Sequence, residues 1–185
     1  MLQSSQFQTH FLFLRGINVG GHHKVPMAEL RALLEKLGFT KVQTLLNSGN
    51  VIFDSKEDTN KLENRLTEEL EKKFGFAIPV LVKKPDELKE VLDADPYQGI
   101  EVTKDIRLYM SLLKKIPEEV PQLPWKSEDG SFEILLLKNK IVCSALDVSK
   151  IKTPDGMKIV EQIYGKDITT RNVNTINKML AKVEF

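Results

Sequence analysis

The residues Leu14-Arg15-Gly16-Ile17-Asn18-Val19-Gly20-Gly21, with Lys24 and Pro26 just beyond, are the densest set of groups in the chain that could bind a ligand. Arg15 and Lys24 bring positive charge, and Asn18 brings an amide that both donates and accepts. Gly20 and Gly21 let a backbone approach a bound molecule closely. An apolar run, Phe11-Leu12-Phe13-Leu14, feeds this loop, and Pro26 suits the first position of a helix. A strand, a polar loop and a helix start in that order favour an anion. A second polar group is Asn47-Ser48-Gly49-Asn50, which supplies Asn47, Ser48 and Asn50. A third lies near the C-terminus, where Arg171 offers a planar five-donor group and Asn172 and Asn174 flank Val173.

Several better-known chemistries are excluded by single residues. Gly16 and Gly21 have the separation of a phosphate-binding P-loop, but His22 and His23 stand where a lysine and a hydroxyl are required, so nothing would hold terminal phosphates and magnesium. A dinucleotide fingerprint needs glycine two positions after Gly16, and Asn18 is there. The histidines are His10, His22 and His23, and the one cysteine is Cys143, so no metal-ligand set and no cofactor is expected. Cys143 reads as a core residue, with no histidine placed beside it to make a nucleophile. No carboxylate pair falls in the candidate loops, Asp54 being the acid nearest the hairpin tip, and no catalytic residue is assigned.

The elements that must position these groups follow from periodicity. Phe11–Leu14 predicts a strand, Met27, Leu30, Leu33, Leu34 and Leu37 a helix ending at Gly38, and Val42–Leu46 with Val51–Phe53 a hairpin. Asp58 or Thr59 caps a helix with Leu62, Leu66 and Leu70 inward and Gly75 as its stop; a strand follows at Ile78–Val82 and a helix from Pro85 to Leu92. The second half repeats the order. Leu108–Leu113 is a strand, and a proline-broken stretch, Pro117–Trp125, replaces the first helix. A hairpin, Phe132–Leu137 with Ile141–Ala145, comes next. A helix at Met157–Tyr164, a strand at Ile168–Arg171 and a last helix at Thr175–Val183 complete it. Strand, helix, hairpin, helix, strand is the split βαβ arrangement. The reading is an α+β chain of two ferredoxin-like halves, residues 10–95 and 96–185, formed by internal duplication and packed into one compact two-lobed body. A polar tail spans residues 1–9. In such a topology the loop after the first strand and the tip of the first hairpin lie at the same end, which gathers the first two polar groups.

With 185 residues, 41% apolar and 29% charged, the chain has the composition of a packed globular protein. Lys and Arg number 27 against 26 Asp and Glu, so charge balance argues for no nucleic-acid or acidic-membrane partner. The strand Asn50-Val51-Ile52-Phe53 lacks the basic-glycine-aromatic pattern of an RNA-stacking sheet. No secretory leader or membrane-length apolar run is visible, and one cysteine suits a reducing cytoplasm.

The first loop, the run Lys24-Val25-Pro26-Met27-Ala28-Glu29-Leu30-Arg31, the turn Ser48-Gly49-Asn50-Val51 and the closing Thr169-Thr170-Arg171-Asn172 with Asn174-Thr175 together resemble the bacterial "domain of unknown function 1697" family. The resemblance runs from Phe11 to the last helix. The family usually has tryptophan between the two asparagines of the last motif, where this chain has Val173. The resemblance implies a soluble bacterial α+β protein of two ferredoxin-like halves. It carries over no activity, cofactor or catalytic residue. The functional expectation is a binder, possible enzyme included, of a small anionic or carbonyl-bearing ligand at the Arg15–Lys24 loop and the Asn47–Asn50 hairpin. Its rival is a structural or protein-interaction module whose motifs stabilise the interface between the halves, and a third class is a nucleic-acid binder whose contacts weaken with salt.

Overall fold

The computed structural model describes residues 6–185. Among the described residues the chain forms two antiparallel sheets and five helices, an α+β architecture. It divides into two compact units. The first runs to Pro85 and includes Lys182–Phe185, and the second is Asp86–Ala181.

The first unit contains β1 (Gln8–Leu14), α1 (Met27–Lys36), β2 (Thr40–Leu45), β3 (Asn50–Ser55), α2 (Thr59–Phe74) and β4 (Val80–Lys83). Its strands lie in the order β2-β3-β1-β4. In α2, leucines at every fourth position bury one stripe: Leu62, Leu66 and Leu70 are all fully buried. Asp58 caps that helix by accepting from the Lys61 N–H at 3.0 Å, and Gly75 closes it in the left-handed region. Leu30 and Leu34 of α1 join the same core. Every second strand residue meets them: Leu12 and Leu14 of β1, Val51 and Phe53 of β3, Val80 and Val82 of β4. Phe11 and Phe13 point to the other face of β1 and are equally buried.

β1 begins at Gln8, earlier than periodicity indicates. Thr9 pairs across the sheet with Asp54, and its hydroxyl donates to the Asp54 carboxylate at 2.7 Å. Of the expected polar tail, residues 1–5 lie outside the described residues.

The second unit follows α3 (Pro85–Asp93) with β5 (Ile106–Leu113), β6 (Trp125–Lys126), β7 (Phe132–Lys138), β8 (Ile141–Asp147), α4 (Thr153–Tyr164), β9 (Ile168–Asn172) and α5 (Val173–Leu180). The strand order is β6-β7-β8-β5-β9. No helix forms between β5 and β7, where Pro117, Pro121 and Pro124 interrupt the chain; the two-residue β6 pairs there with β7 instead. α4 starts at Thr153 rather than Met157, because Pro154 stands at the helix start, where proline is well placed. Gly156 is accommodated by close packing: a Cβ there would sit 2.6 Å from Leu146 Cδ1. Phe132, Ile134, Val142, Leu146, Val160 and Ile168 form the core of this unit.

Candidate functional site

The loop between β1 and α1 is a small hairpin in its own right. The Asn18 N–H donates to the His23 carbonyl at 3.1 Å, and the His22 N–H donates to the Val19 carbonyl at 3.2 Å. Gly20 and Gly21 occupy the tip with φ of 61° and 78°, the pair of positive angles that a tight two-residue turn requires. Gly16, Asn18 and His23 also have positive φ, whereas Ile17, Val19 and His22 do not.

One side chain fixes the base of this hairpin. The Asn18 amide donates to the Val25 carbonyl at 3.0 Å and to the Asn47 carbonyl at 2.8 Å, and its oxygen accepts from the Val25 N–H at 2.8 Å. The expectation that the loop and the 47–50 turn are neighbours is thereby met through Asn18 itself. The same bonds commit that amide to the protein rather than to a ligand. A second tie is the Leu14 N–H, which donates to the Gly49 carbonyl at 2.9 Å. Gly49 has no room for a side chain: a Cβ there would lie 2.7 Å from Leu14 Cβ and 2.8 Å from Ile17 Cδ1. Asn50 is fully buried and donates to the Leu45 carbonyl at 3.1 Å and to Ser48 Oγ at 2.9 Å, so it braces the turn from inside.

Around this scaffold stand the remaining candidates. The Arg15 N–H donates to the Pro79 carbonyl at 3.1 Å and its side chain is half-buried; Lys24, Gly20, Gly21 and Asn47 are exposed or partly exposed. No carboxylate occurs in residues 15–25 or 45–50. The His23 ring stacks on Phe76 with centroids 4.6 Å apart. Phe76 belongs to no motif in the sequence, although its position directly after the Gly75 helix stop marks a loop at this end of the sheet.

The third polar group lies in the second unit. Arg171 donates from Nη1 to Thr169 Oγ1 at 2.8 Å and to the Thr170 carbonyl at 2.9 Å. Burial pushes its guanidinium down to about 10, still charged at neutral pH. Asn172 is the N-cap of α5 and accepts from the Asn174 N–H at 2.9 Å, whereas Asn174 itself is exposed. The helix therefore starts at Val173, two residues before the sequence periodicity places it.

The family model described as "Protein of unknown function (DUF1697)" matches residues 7–142. The chain belongs to this family. No curated protein matches it. Among solved structures it is similar to the conserved bacterial protein SP0830 from Streptococcus pneumoniae, with a TM-score of 0.68 and 24% identity over 95% of this chain and 98% of that one. At that identity the likeness speaks to fold alone. The DUF1697 match takes in the first two polar groups and stops before the third.

Elsewhere in this DUF1697 chain the reactive side chains are occupied with packing. Cys143 is fully buried on β8, and burial raises its thiol to about 11, so the thiolate nucleophile is suppressed. Tyr97 lies beside it, with its hydroxyl donating to the Tyr109 carbonyl at 2.8 Å. Among the described residues no three of His, Cys, Asp and Glu are grouped to hold a metal ion. Among them, too, no helix is long and apolar enough to cross a membrane.

Proposed function

We propose that this chain binds a small anionic or carbonyl-bearing ligand at the end of the first unit, over the Arg15–Lys24 loop and the Asn47–Asn50 turn. The observation that carries the reading is the loop's backbone. Its tip holds Gly20 and Gly21 both at positive φ, and among the described residues the N–H groups of these two glycines have no backbone acceptor. Arg15 and Lys24 add two positively charged side chains. Asn18 and Asn50 serve as scaffold, with Ser48 Oγ held by Asn50, so the ligand contacts fall to Arg15, Lys24, the Gly20-Gly21 backbone and the exposed Asn47 side chain. Arg171, Asn172 and Asn174 remain a separate candidate group in this proposal, with Asn172 acting as a cap.

We further infer that the chain is a duplicated domain of two ferredoxin-like halves, residues 10–95 and 96–185, each built around one of the two sheets. In support, β2-β3-β1-β4 and β7-β8-β5-β9 are the same order when strands are numbered within each half. Gly165 follows Gly75 by 90 residues, as Asn139 at the second hairpin tip follows Gly49 at the first. Each half ends in a helix after its last strand, α3 and α5. A lone buried cysteine accords with a cytoplasmic setting.

A melting-temperature screen of the whole chain against inorganic phosphate, nucleoside monophosphates and small dicarboxylates tests the ligand reading. A true ligand at a hundredfold excess over its dissociation constant stabilises by about 2.7 kcal/mol, which raises the midpoint of a chain this size by about 5–10 °C. If no anion moves the midpoint, or if Arg15→Ala with Lys24→Ala leaves every shift intact, the loop is scaffold only. The internal saturation of Asn18 and Asn50 is what would then define it.

A further inference from the structure

At the opposite end of β1 lies a cleft of about 160 Å³, formed where the start of β1, the α1–β2 turn and the β3–α2 loop converge on α2. None of its residues belongs to the loops above. Its chemistry comes from two rings and three charges. Phe39 is buried beneath it and Phe7 stands half-exposed at its mouth. The Arg65 guanidinium lies 5.2 Å from the centre of the Phe39 ring, and Lys56 Nζ lies 4.8 Å from the centre of the Phe7 ring. Glu57 is the one lining carboxylate, and it is paired with Arg65.

The donor count is asymmetric. Arg65 gives one N–H to Glu57 and another, at 2.8 Å, to the Leu37 carbonyl at the end of α1. A guanidinium has five N–H donors, so three remain on a side chain that is 37% exposed. Lys56 is exposed, and among the described residues it has no carboxylate partner, only the Phe7 ring. With Glu57 offset by Arg65, the cleft keeps one net positive charge, spare donors from two cations, and one exposed aromatic ring, that of Phe7. One charge suits a monoanion. The cleft is small and opens to solvent, on the scale of one ring bearing a carboxylate.

We propose that this cleft is a second binding site, for a small aromatic carboxylate. The ligand's ring packs against the exposed Phe7 ring, and its carboxylate takes N–H groups from Lys56 and from the outer edge of Arg65.

The test is an amide-resolved NMR titration of the full chain with benzoate, alongside acetate, which has the charge without the ring, and benzyl alcohol, which has the ring without the charge. Millimolar binding is the scale for a ligand of so few atoms. Benzoate should move the amides of Leu37, Gly38, Phe39, Lys56 and Glu57, and the two controls should move them several-fold less at equal concentration. Lys56→Gln, a change at an exposed position, should weaken benzoate by about three- to tenfold. The proposal fails if these amides are unmoved at about 20 mM benzoate, or if acetate or benzyl alcohol matches it. It also fails if Lys56→Gln binds as the parent does, or if the only amides that move are those of residues 16–24.

Discussion

Replacing Asn18 by alanine removes three hydrogen bonds at once, two donated to the Val25 and Asn47 carbonyls and one accepted from the Val25 N–H. A protein hydrogen bond contributes about 0.5–1.5 kcal/mol net. The Asn18 side chain is exposed, so the lower half of that range applies, about 2 kcal/mol for the three. Asn18 also holds φ at 57°, where alanine costs about 1 kcal/mol more than asparagine. The total is about 2–3 kcal/mol, or a midpoint lowered by about 5–10 °C for a chain of this length. Asn18→Gly separates the two contributions. It loses the same bonds but accepts the backbone angle, so it should be less damaging than alanine by about 1 kcal/mol. Urea unfolding of the three proteins measures the differences, and amide exchange at Val25 reports the clamp directly. A loss below about 0.5 kcal/mol for alanine, or a glycine variant less stable than the alanine one, would refute the assignment of Asn18 as the bond that joins the two loops.

Three further outcomes follow from other residues. Gly49→Ala forces a methyl against Leu14 and Ile17 at a φ of 72° and should cost about 2 kcal/mol or more in urea unfolding, whereas Gly20→Ala, with open space around it, should cost only about 1. Asp129 is held at about 2, first by the Ser127 hydroxyl and then by the Ser131 N–H and hydroxyl. A carboxyl lowered by folding stabilises above its unfolded value near 3.8 and loses that contribution as pH falls toward 2. Asp129→Asn should therefore flatten this part of the acid limb, as seen in stability measured at successive pH values between 4 and 2. Cys143 should resist an aromatic disulfide reagent at pH 8 in the native protein and react at once in denaturant; rapid native labelling would contradict its burial.

Much of the framework could be read from residue types alone because it rests on local chemistry. The Asp58 cap, the four-residue leucine spacing of α2 and the Gly75 stop are contained within one helix, and periodicity is enough to place them. The proximity of the 15–24 loop to the 47–50 turn was legible too, because strand order dictates it. The role of Asn18 was not. Its three bonds exist only once the loop has folded back on itself and Val25 has come round to meet it, which no spacing rule encodes. The early start of α4 was hidden by Gly156, whose tolerance depends on Leu146 from a distant strand. The cleft of Phe7, Lys56 and Arg65 is hidden in the sequence for the same reason, since it joins single residues from separate segments with no motif among them.

The clamp at Asn18 also divides its loop into two mechanical parts. Below it, Leu14, Ile17 and Gly49 are packed too closely to vary. Above it, Val19, Gly20, Gly21 and His22 are exposed, and the glycines have open space around them. Length added between Gly20 and Gly21 would be isolated from the sheet by that bond set, and each doubling of a flexible loop costs only about 0.6 kcal/mol. The tip is thus a natural graft point, a place where this scaffold can carry a foreign peptide, or accept evolutionary insertions, without the strands registering the change.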